Sequence, residues 1–425
     1  MVNQKIFSDL KIYVDSIPVI DVHSHINGKH PAARDPKEII FYHYIVTEML
    51  SAGAPPEIFS KDIPFEDALR RAIPYLKLIR NTATYWCLTR ILRDLYGFKE
   101  DEINEDNWKE LVDRIYSKIE EKDWYKIILE KTRLKKGFLT FRFGEEIPEY
   151  DKTFYVGALR IEPLITRLSH EDIQALEKAT GISINSLSRF EEALSVLFKK
   201  FSECIAVTAS FLPEETFEEP DKAKARGSFQ KRLSGSRLDS SEMRNLRSYS
   251  MNCVLSLAEE YDWPFQIMLG VVRPVPGASP PDYAIVSYNA ESLPSLCRLF
   301  HKFSSVKFDV FLANRIQSHE LTVIAKNYPN VYVAGYWWYV FYPTIIDQFI
   351  LERLQILPRN KINGFFSDAY VAEWTYAKAC LVRRQLALTL AKMVEEEYYT
   401  MDLAKDMAAD MLSRNPGRLY KLEQA

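Results

Sequence analysis

Eight short runs of almost wholly apolar residues, separated for the most part by helical patterns, leave this chain few folds to choose from. The runs are IPVIDV (17–22), GFLTF (137–141), FYVGALRI (154–161), CIAVTA (204–209), FQIMLGVV (265–272), VKFDVFL (306–312), NVYVAGYW (330–337) and INGFFSD (362–368). Each has the length of a strand, and near-continuous apolarity marks strands covered on both faces, as in a parallel sheet flanked by helices. Between most of them lie amphipathic stretches such as SRFEEALSVLFKKFSE and SEMRNLRSYSMNCVLSLAEEYDW. This alternation predicts an α/β chain folded as a (β/α)8 TIM barrel, one domain over residues 1–425. A doubly wound open sheet is the alternative, but no GxGxxG follows the first run to support it.

The spacing of the runs is uneven. More than a hundred residues separate the first two, far more than one crossover helix needs. Residues 33–130 read as several helices, an insertion expected to cover the barrel mouth, where loops after strands carry function. A charged, Ser/Gly-rich piece at 213–242 reads as a mobile loop opening a helix, its mixed charge a solvated face. From Val371 onward the pattern is long, helical and rich in Ala, Leu, Glu and Lys.

Composition narrows the function classes. A formal net charge of −3 gives no electrostatic case for nucleic acid or an anionic membrane, and no apolar run is long enough to span a bilayer. The five cysteines (Cys87, Cys204, Cys253, Cys297, Cys380) are scattered, odd in number and without CxxC, which fits a reducing cytoplasm rather than a disulfide framework. Aromatic residues cluster in GYWWYVFYP, Gly335 to Pro343; core packing explains most such clusters, and a ring-lined pocket is the sharper reading. The expected partner is a small-molecule substrate, with a homo-oligomer left open.

The first run ends in chemistry. In IPVIDVHSHINGKH, His23 and His25 stand two apart at the end of a strand, so both imidazoles are expected to face the barrel mouth, with Ser24 turned away. Asp21 would share their side and orient an imidazole from behind. His30 lies past the strand in a turn and is expected to face solvent. A catalytic metal needs a third ligand and an open position. Asp368, at the end of the last run, is the best candidate, because the first and last strands of such a barrel are neighbours at its active face. An Asp after a strand is more often a helix N-cap; the neighbouring HxH tips the balance. Two imidazoles and a carboxylate suit one divalent metal, zinc first, with manganese, nickel or iron acceptable.

DVHSH on a first strand with an Asp closing the eighth resembles the amidohydrolase superfamily of metal-dependent barrel enzymes, and more finely its uronate isomerase branch. FYHYIVTEML supplies His43 and Tyr44 for that branch's His-Tyr pair, and VGALRIEP supplies Arg160 for its early-strand Arg. QIMLGVVR keeps Gln266, Gly270 and Arg273 of its fifth strand, and Gly335, Trp337 and Trp338 match its Gly-x-Trp-Trp segment. Three positions depart from the family pattern. Its fifth-strand His falls on Met268, its fourth-strand Asp on Thr208, and the Arg two residues after its last-strand Asp on Tyr370. Met carries no proton, Thr is a poor base, and Tyr cannot replace a bidentate clamp on a carboxylate.

The resemblance implies a metal-dependent enzyme acting on a small carboxylated or polyhydroxylated, sugar-acid-like compound, by hydrolysis or aldose–ketose isomerisation. Asp368 would accept the proton in either reaction, His43 and Tyr44 would bind hydroxyls or transfer protons, and Arg160, Arg273, Trp337 and Trp338 would hold the substrate. Each arginine could instead be a structural ion pair, and the His-Tyr pair mere packing. The competing reading is a decayed barrel that binds a metal or ligand without turnover.

Overall fold

All eight runs form strands in the computed structural model, which describes residues 3–275 and 284–422. They are β1 (Val19–Ser24), β2 (Leu134–Arg142), β3 (Tyr155–Arg160), β4 (Cys204–Ser210), β5 (Phe265–Leu269), β6 (Phe308–Leu312), β7 (Val331–Ala334) and β8 (Ile362–Asn363). The strands are parallel and pair in chain order, and the sheet curls into a (β/α)8 barrel. The apolar runs are explained by burial on two sides. Ile20, Val22, Phe138, Ala158, Ala206 and Ala334 fill the interior, while Val19, Leu139, Leu159, Val207, Ile267, Val310 and Val333 meet the surrounding helices.

Two strands are shorter than their runs. β5 stops at Leu269 because Gly270 turns the chain at φ +108°, and a Cβ there would come within 2.6 Å of Asn314 Nδ2. Val271–Val272 then pairs antiparallel with Ile285–Val286, so Arg273 is carried off the strand and over the rim. β8 keeps two residues, and the chain beyond it, to Asp368, runs along β1 without a ladder.

That seam is closed in two different ways. At the top, Asp368 N–H donates to His23 O (2.9 Å), His25 N–H donates to Ala369 O (2.8 Å), and the Asp21 carboxylate accepts from both Ser367 N–H and Ser367 Oγ. Lower down, chain from the C-terminal region wedges in. Gly364 N–H donates to Met411 O (2.7 Å), a contact so close that a Cβ on Gly364 would sit 2.9 Å from Met411 Cβ. The helix Asn415–Leu419 follows, and Leu419, Tyr420 and Leu422 plug the barrel floor beneath Phe138. The small interior residues Ala158, Ala206 and Ala334 leave room for this plug below and for a cavity above.

The floor is polar at its centre. Gln266 Nε2 donates to Val22 O (2.7 Å) and to Tyr420 Oη (3.0 Å), Tyr420 Oη donates to Asp309 Oδ2 (2.7 Å), and Asn363 Nδ2 donates to the same oxygen (2.9 Å). Burial pushes the Asp309 carboxyl up to about 6, against the two hydrogen bonds that stabilise its charge.

Between β1 and β2 run helices Pro36–Ile40, His43–Ser51, Phe65–Leu78, Ala83–Tyr96, Trp108–Ile119 and Trp124–Thr132. Some of their starts follow local chemistry: Asp35 caps Pro36–Ile40, with Pro36 at its first position, and Thr82 caps Ala83–Tyr96, which ends at the left-handed Gly97. Residues 213–242, expected as a mobile loop opening a helix, do lead into the helix Ser240–Glu260 but also contain a helix of their own, Lys222–Leu233. Asp221 accepts from Ala223 N–H and Lys224 N–H to start the helix Lys222–Leu233, and Asp239 with Glu242 forms a capping box for Ser240–Glu260. Mixed charge hid the first of these caps. Among the described residues no helix is long and apolar enough to cross a membrane.

Candidate metal centre and active site

The site lies over the top of the barrel, in a cavity of about 340 Å³. Its walls include His23, His25, His43, Tyr44, Arg160, Arg273, Trp337, Trp338 and Asp368, so every residue singled out for the site from the sequence lines one space. His30 is exposed elsewhere, as a turn residue.

β1 delivers the two imidazoles, although not by simple alternation. Asp21 pairs with Gly137 and Ser24 with Leu139, so β1 carries one extra residue against β2 in this stretch. The irregularity moves Asp21 off the histidines' side, which corrects the expectation that it orients an imidazole. Its carboxylate binds Ser367 across the seam and touches His23 only at the backbone N–H (3.4 Å), and burial pushes it up to about 7. Ser24 Oγ turns away to donate to Phe138 O (2.7 Å). The His23 and His25 rings stand perpendicular with centroids 5.0 Å apart.

Asp368 is not a helix cap, since Val371 holds the N-cap position of Ala372–Glu395. Its backbone sits at φ +50°, a conformation costing of order 1–3 kcal/mol for a non-glycine residue and kept only where surroundings impose it. Here the backbone bond to His23 and a held side chain impose it. Trp337 Nε1 donates to Asp368 Oδ2 (3.2 Å), as does Tyr44 Oη (3.4 Å). That leaves Oδ1 facing His25 Nε2 at 3.2 Å and His23 Nε2 at 3.7 Å.

Three observations fit this trio to a divalent metal. Ligand atoms of His23, His25 and Asp368 all lie within 4.8 Å of one another. Two of these separations, 3.2 and 3.7 Å, bracket the roughly 3.3 Å edge of a tetrahedron with zinc-like bonds of about 2.0–2.1 Å. His23 Nε2 and Asp368 Oδ1 are buried without hydrogen-bond partners, an arrangement that costs free energy unless something occupies the space between them.

Electrostatics agree. Burial and the adjacent His25 push His23 down to about 3, so its ring is neutral at physiological pH, the form that binds metals. Burial alone would raise the Asp368 carboxyl, but His25, His23 and Lys378 outweigh it and hold the group below the usual range. Burial, helped by Lys378, lowers His43 to about 3, which makes it a neutral hydrogen-bonding group.

The remaining walls divide into held and available groups. Arg160 donates through Nε to Glu162 Oε1 (2.6 Å), with Nη2 at 2.5 Å, whereas Arg273 has no carboxylate within ion-pair distance among the described residues. The Arg273 guanidinium lies 5.6 Å above the Trp338 ring. Tyr370 stacks on His25 at 5.0 Å, and Met268 and Thr208 complete the lining where the resemblance expects a His and an Asp.

Two contributors escaped the sequence reading. Glu162, two residues after Arg160 in RIEP, lines the cavity with Oε2 buried and unpartnered; the adjacent opposite charge was the available signal. Lys378 is buried on the helix after Asp368, donates to Ser367 O (2.7 Å) and sits 4.9 Å from the Tyr44 ring centroid. In sequence it is one of many helical lysines, and nothing marks it.

Comparison with known proteins points one way. The family model described as glucuronate isomerase matches residues 163–278. The uronate isomerase of Thermotoga neapolitana is 22% identical over 98% of this chain and 96% of its own length. The crystal structure of uronate isomerase from Thermotoga maritima superposes with a TM-score of 0.91 at 18% identity, covering 99% of this chain and 98% of that one. Glucuronate isomerase from Caulobacter crescentus gives 0.90 at 17% identity, covering 99% and 95%. At such identities the solved structures establish the shared fold.

Proposed function

We propose that this chain, a diverged relative of the uronate isomerases over nearly its whole length, is an aldose–ketose isomerase of a small sugar acid that works with one divalent metal. The observation that carries the reading is one cavity that joins a His/His/Asp donor set to an arginine free of carboxylates among the described residues. His23, His25 and Asp368 would hold the metal, and zinc matches their donor atoms best. When bound, the metal supplies Lewis acidity toward a carbonyl or hydroxyl oxygen of the substrate.

The reaction is redox-neutral overall. A proton leaves the carbon beside the aldehyde and reaches the aldehyde carbon, the hydroxyl proton moves to the former carbonyl oxygen, and no water enters the product. The protein's part is to hold a polar chain and move protons. Arg273 is placed to pair with the substrate carboxylate, its guanidinium kept over the Trp338 face. Arg160, engaged by Glu162, presents an ion pair that suits hydroxyls better than a carboxylate. Asp368 is the proposed proton acceptor, with the Tyr44 hydroxyl at its Oδ2 forming a short proton path to the cavity. Neutral His43, in ring contact with Tyr44 at 4.2 Å, is the adjoining hydrogen-bond partner for a substrate hydroxyl. The changes at Met268, Thr208 and Tyr370 leave the metal donors intact and alter the walls around the substrate.

The test is NMR of D-glucuronate with metal-free protein, then with the same sample reloaded with zinc or manganese. The expected result is ketose formation only after reloading. Absence of ketose from a panel of uronates, in protein holding about one metal per chain, would falsify the isomerase reading.

A further inference from the structure

A second cavity, of about 410 Å³, lies outside the barrel among helices Gln4–Ser16, Ala83–Tyr96 and Ala372–Glu395. Five cations line it: Lys11, Arg90, Lys131, Arg383 and Arg384. Among the described residues, two carboxylates pair with them. Asp15 pairs with Lys11, and Asp94 pairs with Arg90 (2.5 Å) while also accepting from Tyr376 Oη (2.8 Å). Lys131 Nζ makes do with Asp94 O (2.8 Å), and Arg384 Nη1 with the Gln385 side chain (2.5 Å). The chain as a whole carries −3, so the excess is local.

Arg383 is the decisive residue. It is 4% exposed and donates to two backbone carbonyls, Thr132 O (2.9 Å) and Ile17 O (2.7 Å). Its Nε is buried without a partner, and among the described residues no carboxylate lies within ion-pair distance of it. Arg90 Nε is likewise buried and unpartnered. The two Nη groups of Arg383 are engaged by those carbonyls, and the Asp15 carboxylate, which favours its charge from a distance, is already paired with Lys11, so the positive charge of this wall is only partly answered from within the chain. Guanidinium and ammonium groups lining one space match a group with three or four oxygens and more than one negative charge. Trp86 supplies an apolar wall beside them, with the Arg90 guanidinium 5.9 Å over its ring.

We propose that this cavity binds a phosphate-bearing small molecule, its phosphate held by Arg383, Arg384 and Lys131. The site is separate from the metal centre and holds whether or not the isomerase reading does.

Inorganic phosphate is the probe, titrated calorimetrically and by thermal shift against sodium chloride at matched ionic strength. The expected result is saturable binding of one phosphate per chain, with a rise in Tm that chloride does not give. K131Q/R384Q, which alters two exposed side chains, should weaken binding by about tenfold or more, roughly 1.4 kcal/mol. R383M gives an independent second variant. D368N separates the two sites: it should retain full phosphate binding. No saturable binding to the wild type, or equal affinity in K131Q/R384Q, overturns the proposal, as does binding lost in D368N alone.

Discussion

Asp368 shows how much one residue can be asked to do. Its strained backbone, its two side-chain donors and its place over the β1 histidines all serve to aim one oxygen. D368N keeps the shape and removes the charge. Metal content should fall to less than about a tenth per chain, and turnover by more than the roughly hundredfold that losing an outer partner already reaches. Metal analysis and the glucuronate assay check this. W337F tests the support, because it deletes the N–H that fixes Oδ2 and leaves the ring. Zinc affinity should drop about 10- to 100-fold with the fold unchanged, measurable by competition with a chelator. Residue chemistry at this level was partly legible. HxH and a distant Asp are rare enough as ligand types to stand out, whereas Lys378 and Glu162 are ordinary charges until the fold gives them neighbours. Asp21 misled, because a one-residue irregularity in pairing cannot be read from alternation.

At the scale of elements, the strands were readable because both of their faces are covered, and the helix start at Asp221 was missed because capping is local and charge patterning is loud. The floor plug was invisible in sequence, since nothing about Tyr420 announces a partner 111 residues away. Its hydrogen bond to Asp309 yields a pH prediction. The folded carboxyl sits at about 6 against an ordinary 3.8, so between these values the folded state keeps a proton that the unfolded chain releases. Stability contributed by this group therefore falls as pH rises through that window, by up to about 1.4 kcal/mol per unit. Urea midpoints at pH 4, 5 and 6 should show wild type losing stability relative to D309N. Parallel curves for the two proteins would mean that Asp309 is ionised throughout.

On the scale of the whole molecule, the barrel's ladder runs unbroken from β1 to β8 and then depends on other devices to finish. The top of the seam is held by a few bonds around Ser367 to Ala369, beside the proposed metal donors His23, His25 and Asp368. Metal should therefore stabilise the entire fold. Chelation is expected to lower Tm, and zinc at about a hundred times its Kd to restore about 2.7 kcal/mol, whereas H23A/H25A should ignore both treatments; scanning calorimetry reads the difference. Barrel class was legible because alternation is a property of the full length, and the open seam was not, because closure is decided by residues that meet only after folding. The same seam has a consequence for biosynthesis. His23 and His25 emerge from the ribosome with the first strand, Asp368 follows hundreds of residues later, and the plug from Leu419 onward comes after every strand. No growing chain can assemble the His23, His25 and Asp368 donor set until its eighth strand is out, so capture of the proposed ion would certify that first and last strands have found each other.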